Sequence, residues 1–386
     1  MENANKVSDL GSHLLRSLVL MVTEDCNLRC EYCYVRKRPN KMDIETAEQA
    51  VDFLFSVNRV CPDILEIGFF GGEPMMEVGL IDHVCCYARD KAGQIGSRIG
   101  FAMTTNATMF SDYGKRVIRE HNIGITCSLD GMAEIHDRFR KTRSGQGSFH
   151  FIEKAIPFLV GLTSVNVRMT VMPETTSEVV SSLRWLINKG LKRFSLSPVI
   201  EARWDGKGLG HLVDAWEGLY SLQEEFKNSG VVINNIGKVE SLLCSPDSRG
   251  YGCGAARSMA AVDSGGRLYP CHRFVGYFRN SPEQSIGDVF KGFDDQKRKN
   301  YITSNLVANQ SGCGAGLFDD STMPPDKKCN TCLLQRVCGN SCIALNEYLT
   351  GEPQRPAQIN RVLSQIVMST HIRMKSGLEL SNQLCK

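Results

Sequence analysis

The chain has 386 residues, of which 42% are apolar and 23% charged, the composition of an ordinary globular protein rather than a disordered one. Its formal net charge of +3 excludes the strongly positive field of a typical nucleic-acid-binding protein. Residues 1–17 lack the apolar core of a secretory signal, and no segment reaches the roughly 18 apolar residues of a membrane span. We therefore predict a cytoplasmic protein with no nucleic-acid or membrane partner.

Six segments rich in β-branched and other apolar residues alternate with amphipathic stretches in the first half of the chain. The predicted strands span residues 18–22, 65–70, 100–104, 124–129, 165–171 and 193–197, and the predicted helices span residues 43–57, 79–92, 111–120, 148–159 and 177–189. Such alternation indicates a parallel sheet covered by helices, and six units rather than eight indicate an incomplete barrel. The pattern alone does not separate this barrel from an open doubly wound sheet.

The sixteen cysteines are unevenly distributed along the chain. Seven lie in the first 235 residues and nine in the remaining 151, beginning at Cys244. Because single cores stop growing near roughly 250–300 residues, a chain of this length is expected to divide, and the cysteines indicate a boundary near residue 235. In a reducing compartment so many cysteines are better explained by metal or cluster ligation than by disulfides.

Cys26, Cys30 and Cys33 follow the first predicted strand. Thiolates at this spacing reach three corners of one iron-sulfur cluster from a single loop, and no neighbouring residue supplies a fourth ligand. One iron is then open to bind and reduce a small molecule. The alternatives are a zinc knuckle or a chance group of buried thiols.

This Cys26-x3-Cys30-x2-Cys33 motif, with Tyr32 beside its last cysteine, resembles the cluster loop of radical S-adenosylmethionine (SAM) enzymes. The resemblance implies a 4Fe-4S cluster whose open iron binds the amino and carboxylate groups of SAM. It implies that an electron from a low-potential donor, a flavodoxin or a ferredoxin, splits the sulfonium to give a 5′-deoxyadenosyl radical that abstracts a substrate hydrogen atom. It also implies an α/β fold built on a partial (β/α)6 TIM-type barrel.

Three further polar motifs follow predicted strands. They are Gly71-Gly72-Glu73-Pro74, Thr104-Thr105-Asn106 and Ser128-Leu129-Asp130-Gly131. In barrels of parallel strands the chemistry lies at the carboxyl ends of the strands, where loops carry ligands inward. We therefore expect these motifs and the cysteine loop to meet at one mouth of the barrel.

The resemblance implies a role for most of these residues. Gly71, Gly72 and Glu73 would orient the SAM ammonium, and Ser128 would contact the ribose. Arg140 would bind the methionine carboxylate, for which a planar guanidinium is well suited, with Arg143 as a rival. The remaining predicted cofactor-binding residues are Thr104 and Asn106 for ribose or adenine, Asp130, which is otherwise a turn residue before Gly131, and Tyr32, which with Tyr34 would cover the cluster.

The second half of the chain carries another motif. Cys253, Gly266 and Cys271, followed by Cys329-x2-Cys332-x5-Cys338-x3-Cys342, resemble the SPASM extension, which holds auxiliary iron-sulfur clusters in peptide-modifying and protein-modifying radical enzymes. The resemblance implies one cluster on Cys244, Cys253, Cys271 and Cys342 and three corners of another on Cys329, Cys332 and Cys338. The alternative for an isolated run of this kind is a zinc ribbon.

The chain departs from the SPASM pattern at its end, because the usual final cysteine after Cys342 is absent. Cys313, Cys385, a carboxylate of Asp319 or Asp320, or the substrate would then complete the second auxiliary cluster. We expect four regions: an N-terminal tail (1–17), the barrel (18–235), the SPASM domain (236–349) and a helical tail (350–386).

SPASM relatives act on amino-acid side chains in peptides or proteins, so the resemblance implies such a substrate. Sulfatase-maturing relatives carry an aspartate base after the cysteine equivalent to Cys271, whereas this chain has His272. Histidine is still a candidate base, or it merely forms a hydrogen bond near the cluster. The change favours crosslinking or oxidation of a ribosomally made peptide over formylglycine formation.

A peptide substrate requires a surface that recognises it. Only seventeen residues precede the first predicted strand, so a precursor peptide would be recognised by the SPASM region, the barrel mouth or a separate leader-binding protein. Formation of formylglycine by an anaerobic sulfatase-maturating enzyme is the alternative activity. A noncatalytic iron-sulfur or zinc-binding protein is the alternative of another class.

Overall fold

The computed structural model describes residues 15–58, 64–244, 253–278, 281–310, 342–355 and 357–377. The predicted ligands Cys313, Cys329, Cys332 and Cys338 lie outside the described residues, as does the side chain of Cys244. The alternative fourth ligands Cys385, Asp319 and Asp320 also lie outside them, and the remaining predicted site residues lie within them.

Six strands of the first half confirm the predicted alternation. They are β1 (Ser17–Thr23), β2 (Ile64–Gly71), β3 (Arg98–Thr105), β4 (Gly124–Ser128), β5 (Val165–Val171) and β6 (Arg193–Pro198). They pair in parallel, each with its successor in the chain. Because parallel crossovers are right-handed, an order that never reverses places the connecting helices on one face and curls the sheet. This order confirms the barrel and excludes the doubly wound alternative, which needs a reversal of strand order.

The helices of the barrel follow the strands as predicted, with one division and two additions. They are α1 (Ile44–Ser56), α2 (Val78–Gln94), α3 (Asp112–Glu120), α4 (Ala133–Phe139), α5 (Phe149–Glu153), α6 (Ile156–Val160), α7 (Val179–Asn188) and α8 (Gly206–Glu225). Short 3-10 segments span Pro74–Glu77, Pro173–Glu178, Lys227–Ser229 and Pro282–Gln284. The predicted helix 148–159 was wrong as a single element, since Pro157 cannot lie in a helix interior, and it divides into α5 and α6. Helices α4 and α8 were not predicted.

The remaining elements extend the same sheet. They are β7 (Val232–Ile233), α9 (Asn234–Cys244), β8 (Met259–Val262), β9 (Arg267–Tyr269), α10 (His272–Phe278), β10 (Gly287–Asp288), β11 (Gly292–Phe293), α11 (Asp295–Gln310), α12 (Ile343–Thr350) and α13 (Gln358–Gly377). The described strands lie in the order β11-β10-β9-β8-β1-β2-β3-β4-β5-β6-β7. Strand β8 lies parallel to β1, with Ala260 beside Leu18. The predicted boundary after residue 235 falls inside α9, and the division into domains stays a prediction.

Strand β1 is buried on both faces. Leu18 and Leu20 belong to the main hydrophobic core, which also takes in the apolar faces of the surrounding helices. Val19 and Met21 point to the opposite face and pack in a second cluster that includes Phe274 of α10. Because successive strand residues point to opposite faces, β1 is where the cysteine-rich region packs against the barrel. Among the described helices, none combines the length and apolar character that crossing a bilayer requires.

Candidate active site

A cavity of about 360 Å³ opens at the carboxyl ends of the barrel strands. Most of the predicted site residues line it, namely Cys26, Cys30, Tyr32, Cys33, Gly71, Gly72, Glu73, Thr104, Asn106, Ser128, Arg140 and His272. The motifs that follow β1, β2, β3 and β4 therefore meet at one mouth. The strand order brings them together, because parallel strands that are neighbours in chain order end side by side.

The cysteine loop is held to the barrel by its backbone. The N–H of Arg29 donates to the Lys141 carbonyl at 2.6 Å, and the N–H of Glu31 donates to the Phe139 carbonyl at 3.0 Å. Within the loop, Lys37 Nζ lies 2.7 Å from the Cys33 sulfur. Backbone hydrogen bonds thus hold the loop on the barrel, with a cation beside one thiol.

The loop cysteines are not arranged as a preformed site for one zinc ion. A tetrahedral zinc with Zn–S bonds of about 2.3 Å needs sulfur atoms about 3.8 Å apart. In the part of the chain that the structure describes, the one trio of ligand atoms found within 4.8 Å of one another is Asp82, Cys86 and His121, outside the cavity. The sulfurs of Cys26, Cys30 and Cys33 are therefore not all within 4.8 Å of one another.

The protonation of the loop thiols depends on their burial. Burial raises the pKa of Cys26 to about 11 and also raises that of Cys30. Both are neutral thiols near pH 7 when no metal is bound, and metal binding must displace their protons.

The glycines after β2 allow the second motif to contact the cysteine loop. A Cβ atom on Gly71, whose φ is +142°, would lie 2.1 Å from the Thr23 carbonyl oxygen, and one on Gly72 would lie 1.8 Å from that of Asp25. In their absence, the N–H of Gly72 donates to the Thr23 carbonyl at 2.8 Å, and the N–H of Glu73 donates to the Asp25 carbonyl at 2.9 Å. Only glycine permits this approach of two backbones.

Glu73 ties the ends of β2 and β3 together. Its buried carboxylate accepts hydrogen bonds from Thr105 Oγ1 at 2.6 Å, the Asn106 N–H at 2.7 Å and the Met75 N–H at 3.0 Å. Burial raises its pKa despite these donors. Glu73 is therefore a positioning residue, and its predicted contact with the SAM ammonium stays a prediction.

Asp130 does not line the cavity but positions two residues that do. Arg140 donates through Nε to Asp130 Oδ2 at 2.8 Å and through Nη2 to Oδ1 at 2.9 Å, and the Tyr32 hydroxyl also donates to Oδ2. Although burial opposes it, the Arg140 guanidinium holds the pKa of Asp130 below its ordinary value. The buried oxygens of Asp130 accept from Arg140, Tyr32 and the Thr170 N–H, and its predicted contact with the cofactor stays a prediction.

Arg140 rather than Arg143 faces the cavity. Arg143 is half-exposed and pairs with Asp25 Oδ1 at 2.5 Å and the Cys26 carbonyl at 3.0 Å. Nη1 of Arg140 makes no hydrogen bond with the described residues and is available to a ligand. The geometry favours Arg140 over Arg143 for a carboxylate inside this cavity, and the assignment stays a prediction.

Three polar side chains complete the wall formed by β3 and β4. The hydroxyls of Thr104 and Ser128 face the cavity and make no side-chain hydrogen bond with described residues, which leaves them open to a ligand. Asn106 instead donates to Asn27 Oδ1 at 2.9 Å and accepts from the Thr108 hydroxyl at 2.6 Å. It braces the cysteine loop as well as lining the cavity.

His272 lies against Phe70, with ring centroids 4.7 Å apart. Burial and the nearby Arg273 and Arg168 lower the pKa of its imidazole to about 3. The ring is therefore neutral near pH 7 and is a weak proton acceptor. Its predicted role as a base stays a prediction.

Three of the predicted auxiliary ligands lie together. Burial raises the pKa of Cys271, and the nearby Cys342 and Cys253 raise it further. Cys271 directly precedes α10, which packs against β8 and β9 and carries His272 into the cavity. The structure thus brings three thiols of widely separated segments to one place beside the active-site cavity.

Sequence reasoning missed the wall formed by β5, β6 and α10. Asn166, Arg168, Thr170, Ser197 and Arg273 line the cavity there, as does Glu201 after β6. A signal was present: in β5 the polar residues alternate with the buried Val167 and Met169, which is the pattern of a strand with one polar face.

Comparisons with known proteins agree with this geometry. The model of the Radical SAM superfamily matches residues 20–186. The uncharacterized protein MJ0907 of Methanocaldococcus jannaschii is 31% identical over 188 residues, which is 47% of this chain and 62% of that protein, so the match spans less than two thirds of it. The cysteine-type anaerobic sulfatase-maturating enzyme of Clostridium novyi is 23% identical over 351 residues, 85% of this chain and 87% of that enzyme.

Solved structures share the fold. Native anSMEcpe with bound AdoMet and Cp18Cys peptide matches with a TM-score of 0.72 and 18% identity, covering 94% of this chain and 98% of that one. SuiB of Streptococcus suis bound to precursor peptide SuiA matches with a TM-score of 0.58 and 17% identity, covering 93% and 79%. The family match covers the cysteine loop, the motifs that follow β2, β3 and β4, and strand β5 of the cavity wall. Residues 20–186 of this chain are therefore a domain of the radical SAM superfamily.

Proposed function

We propose that this chain is a radical SAM enzyme that reductively cleaves SAM and abstracts a hydrogen atom from an amino-acid side chain of a peptide or protein. The observation that carries the proposal is the single cavity in which the cysteine loop, the Gly71–Glu73 turn and the open hydroxyls of Thr104 and Ser128 meet. When bound there, a 4Fe-4S cluster and SAM would supply a 5′-deoxyadenosyl radical that can attack an unactivated carbon.

The residues of the chain bind, orient and shield the cofactors. Cys26, Cys30 and Cys33 would hold three irons, and Nη1 of Arg140, anchored by Asp130, would bind the methionine carboxylate. Ser128 and Thr104 would contact the nucleoside. Tyr32, whose ring lies 5.2 Å below the Arg140 guanidinium, limits the access of water to the cysteine loop.

The auxiliary region is assigned from the same resemblance. Cys253, Cys271 and Cys342, which lie together, would hold one auxiliary cluster with Cys244. Cys329, Cys332 and Cys338 would hold three corners of a second, for which Cys313 is a candidate fourth ligand. A low-potential flavodoxin or ferredoxin would deliver the electron, a separate leader-binding protein would present a precursor peptide, and the protein would work in the cytoplasm.

Maturation of a ribosomally made peptide, by a crosslink or an oxidation, is the reaction we favour. The supporting observation is His272, which lines the cavity where sulfatase-maturing relatives are expected to carry an aspartate base. Formylglycine formation is the second candidate, because a cysteine-type sulfatase-maturating enzyme resembles this chain over 85% of its length. Mass spectrometry separates them: a crosslink removes two hydrogen atoms from the peptide, whereas formylglycine gives an aldehyde that reacts with hydrazides.

The test of the radical reaction is anaerobic reconstitution, followed by iron, sulfide and zinc analysis and by an assay for 5′-deoxyadenosine. We expect iron and sulfide in the wild type, and loss of 5′-deoxyadenosine in Cys30→Ala. The matched control is Cys86→Ala, which removes an exposed thiol of α2 outside the cavity and should keep the wild-type yield. Zinc in place of iron, or undiminished turnover by Cys30→Ala, would overturn the proposal.

A further inference from the structure

Two arginines stand on the wall of the cavity that the SAM-binding motifs do not use. Arg168 is on β5, where it and the cavity-lining Asn166 and Thr170 alternate with the buried Val167 and Met169. Arg273 is the second residue of α10. Both line the same cavity as the cysteine loop, so a molecule that enters the cavity meets both guanidinium groups.

Arg168 lacks a carboxylate partner in the described part of the chain. Its Nη2 donates to Ser197 Oγ at 2.8 Å, and no described acidic group forms an ion pair with it within 4.0 Å. Burial and the nearby Arg273 guanidinium lower its pKa. Two like charges in one partly buried wall are costly unless a further anion compensates them.

Arg273 is held in place without an ion pair of its own among the described residues. Its Nη1 donates to the Tyr277 hydroxyl at 3.1 Å, and its guanidinium lies 5.2 Å from the centroid of the Tyr34 ring. The Tyr277 hydroxyl in turn donates to Glu201, which offsets part of the charge. Glu201 and the thiol of Cys342 both act on Arg273, so Arg168 is the guanidinium on this wall that has no acidic partner among the described residues.

The methionine carboxylate of SAM does not account for the charge of this guanidinium. The family resemblance places that group at the cysteine loop, where Arg140 lies close enough to act on the pKa of Cys30. Arg168 and Arg273 instead line the cavity from β5 and from the start of α10, where no SAM-binding motif is predicted. The anion that fits Arg168 and Arg273 therefore comes from a second molecule in the cavity.

We propose that Arg168 and Arg273 bind the side-chain carboxylate of an aspartate or glutamate in the substrate peptide, close to the residue that is modified. This inference rests on the proposed function, since it names the class of peptide that the radical site accepts. A guanidinium fork binds a carboxylate through two parallel hydrogen bonds, which fixes position as well as charge. The acidic residue would then hold the neighbouring side chain in the cavity.

The test uses two synthetic peptides and the reconstituted, SAM-loaded enzyme. Both peptides are fluorescein-labelled, acetylated and amidated twelve-residue chains with a central cysteine, and they differ only in flanking glutamates or glutamines. Anaerobic anisotropy titrations should show the glutamate peptide binding about tenfold or more tightly, as a charge-assisted pair implies. This preference should fall to about twofold or less in Arg168→Met and in part recover in Arg168→Lys.

The control is Arg193→Met, which removes an exposed arginine at the opposite end of β6 and should keep the full preference. Equal binding of both peptides to the wild type, or an undiminished preference in Arg168→Met, would overturn the inference. If Arg168→Met lost affinity for SAM in parallel with affinity for the peptide, these arginines would bind the carboxylate of SAM. That result would also overturn the inference. Iron content and 5′-deoxyadenosine formation are measured on the same wild-type sample, so failure of the radical reaction is recognised separately.

Discussion

Asp130 and Arg140 form a doubly hydrogen-bonded ion pair inside the barrel, with Nε–Oδ2 at 2.8 Å and Nη2–Oδ1 at 2.9 Å. Both side chains are under 8% exposed. Since Arg140 also lies over Tyr32 and faces the cavity, this pair links barrel stability to the geometry of the proposed SAM site.

Asp130→Asn should destabilise the protein strongly. The substitution removes the negative charge and leaves the Arg140 guanidinium buried without its counterion, which costs about 3–5 kcal/mol in comparable pairs. Chemical unfolding under anaerobic conditions measures the loss. The matched control is Glu225→Gln, which breaks the exposed pair with Arg184 and should cost less than about 1 kcal/mol. Equal effects of the two substitutions would contradict the special role of the buried pair.

Arg140→Lys should weaken SAM binding by about ten- to a hundredfold. Lysine keeps the positive charge beside Asp130 but lacks the planar guanidinium. In Arg140 two guanidinium nitrogens bind Asp130 while Nη1 remains free for a carboxylate. Equilibrium dialysis of SAM against the reconstituted enzyme measures the effect. The control is Arg143→Lys, at the rival position outside the cavity, which should change the affinity for SAM less than twofold. A larger loss of affinity in Arg143→Lys than in Arg140→Lys would assign the carboxylate contact to Arg143.

Gly72→Ala should prevent stable assembly of the cluster site. The added Cβ would lie 1.8 Å from the Asp25 carbonyl oxygen and would separate the second motif from the cysteine loop. Iron and sulfide content after reconstitution should fall well below the wild-type value. Gly93→Ala on α2 is the control, since its Cβ meets nothing within 4 Å and alanine favours the helix by up to about 1 kcal/mol. Full iron loading of Gly72→Ala would show that the two loops can separate without consequence.

The free energy of unfolding should decrease as the pH is lowered, and His136 should contribute to this decrease. Burial, with the nearby Arg140, lowers the pKa of this imidazole to about 3. The unfolded chain binds a proton near pH 6.5 that the native state does not bind, so the stability is fully present above pH 6.5 and is lost below it. The slope expected from His136 is about 0.7 kcal/mol per pH unit at pH 6.5, where the unfolded imidazole is half protonated, and approaches about 1.4 kcal/mol per pH unit below pH 5.5.

His136→Gln should remove the share of the slope that His136 contributes, while His272, whose pKa burial also lowers to about 3, keeps its own share. His150→Gln should leave the slope unchanged because His150 is exposed. Unfolding curves at several pH values measure both. An undiminished slope in His136→Gln would assign the pH dependence to other groups.

The strands and motifs of the barrel were predictable because they are local. The spacing of Cys26, Cys30 and Cys33 and the strands before each motif are encoded in contiguous residues, and each predicted strand matched one in the structure to within two residues at either end. The break before Pro157 was also readable in principle, since proline cannot continue a helix. Helix α8 was missed although Asp205 caps it, its carboxylate accepting from the Gly208 N–H at 2.7 Å.

The amino-acid sequence alone thus determined the order of strands, the cysteine loop and the set of polar motifs, because periodicity and ligand spacing act over a few neighbouring residues. Only the tertiary structure decided which arginine faces the cavity, that Asp130 serves Arg140 and Tyr32, and that Arg168 and Arg273 share a wall. Such relations depend on the register and curvature of the sheet, which place distant segments side by side, and no local pattern encodes them.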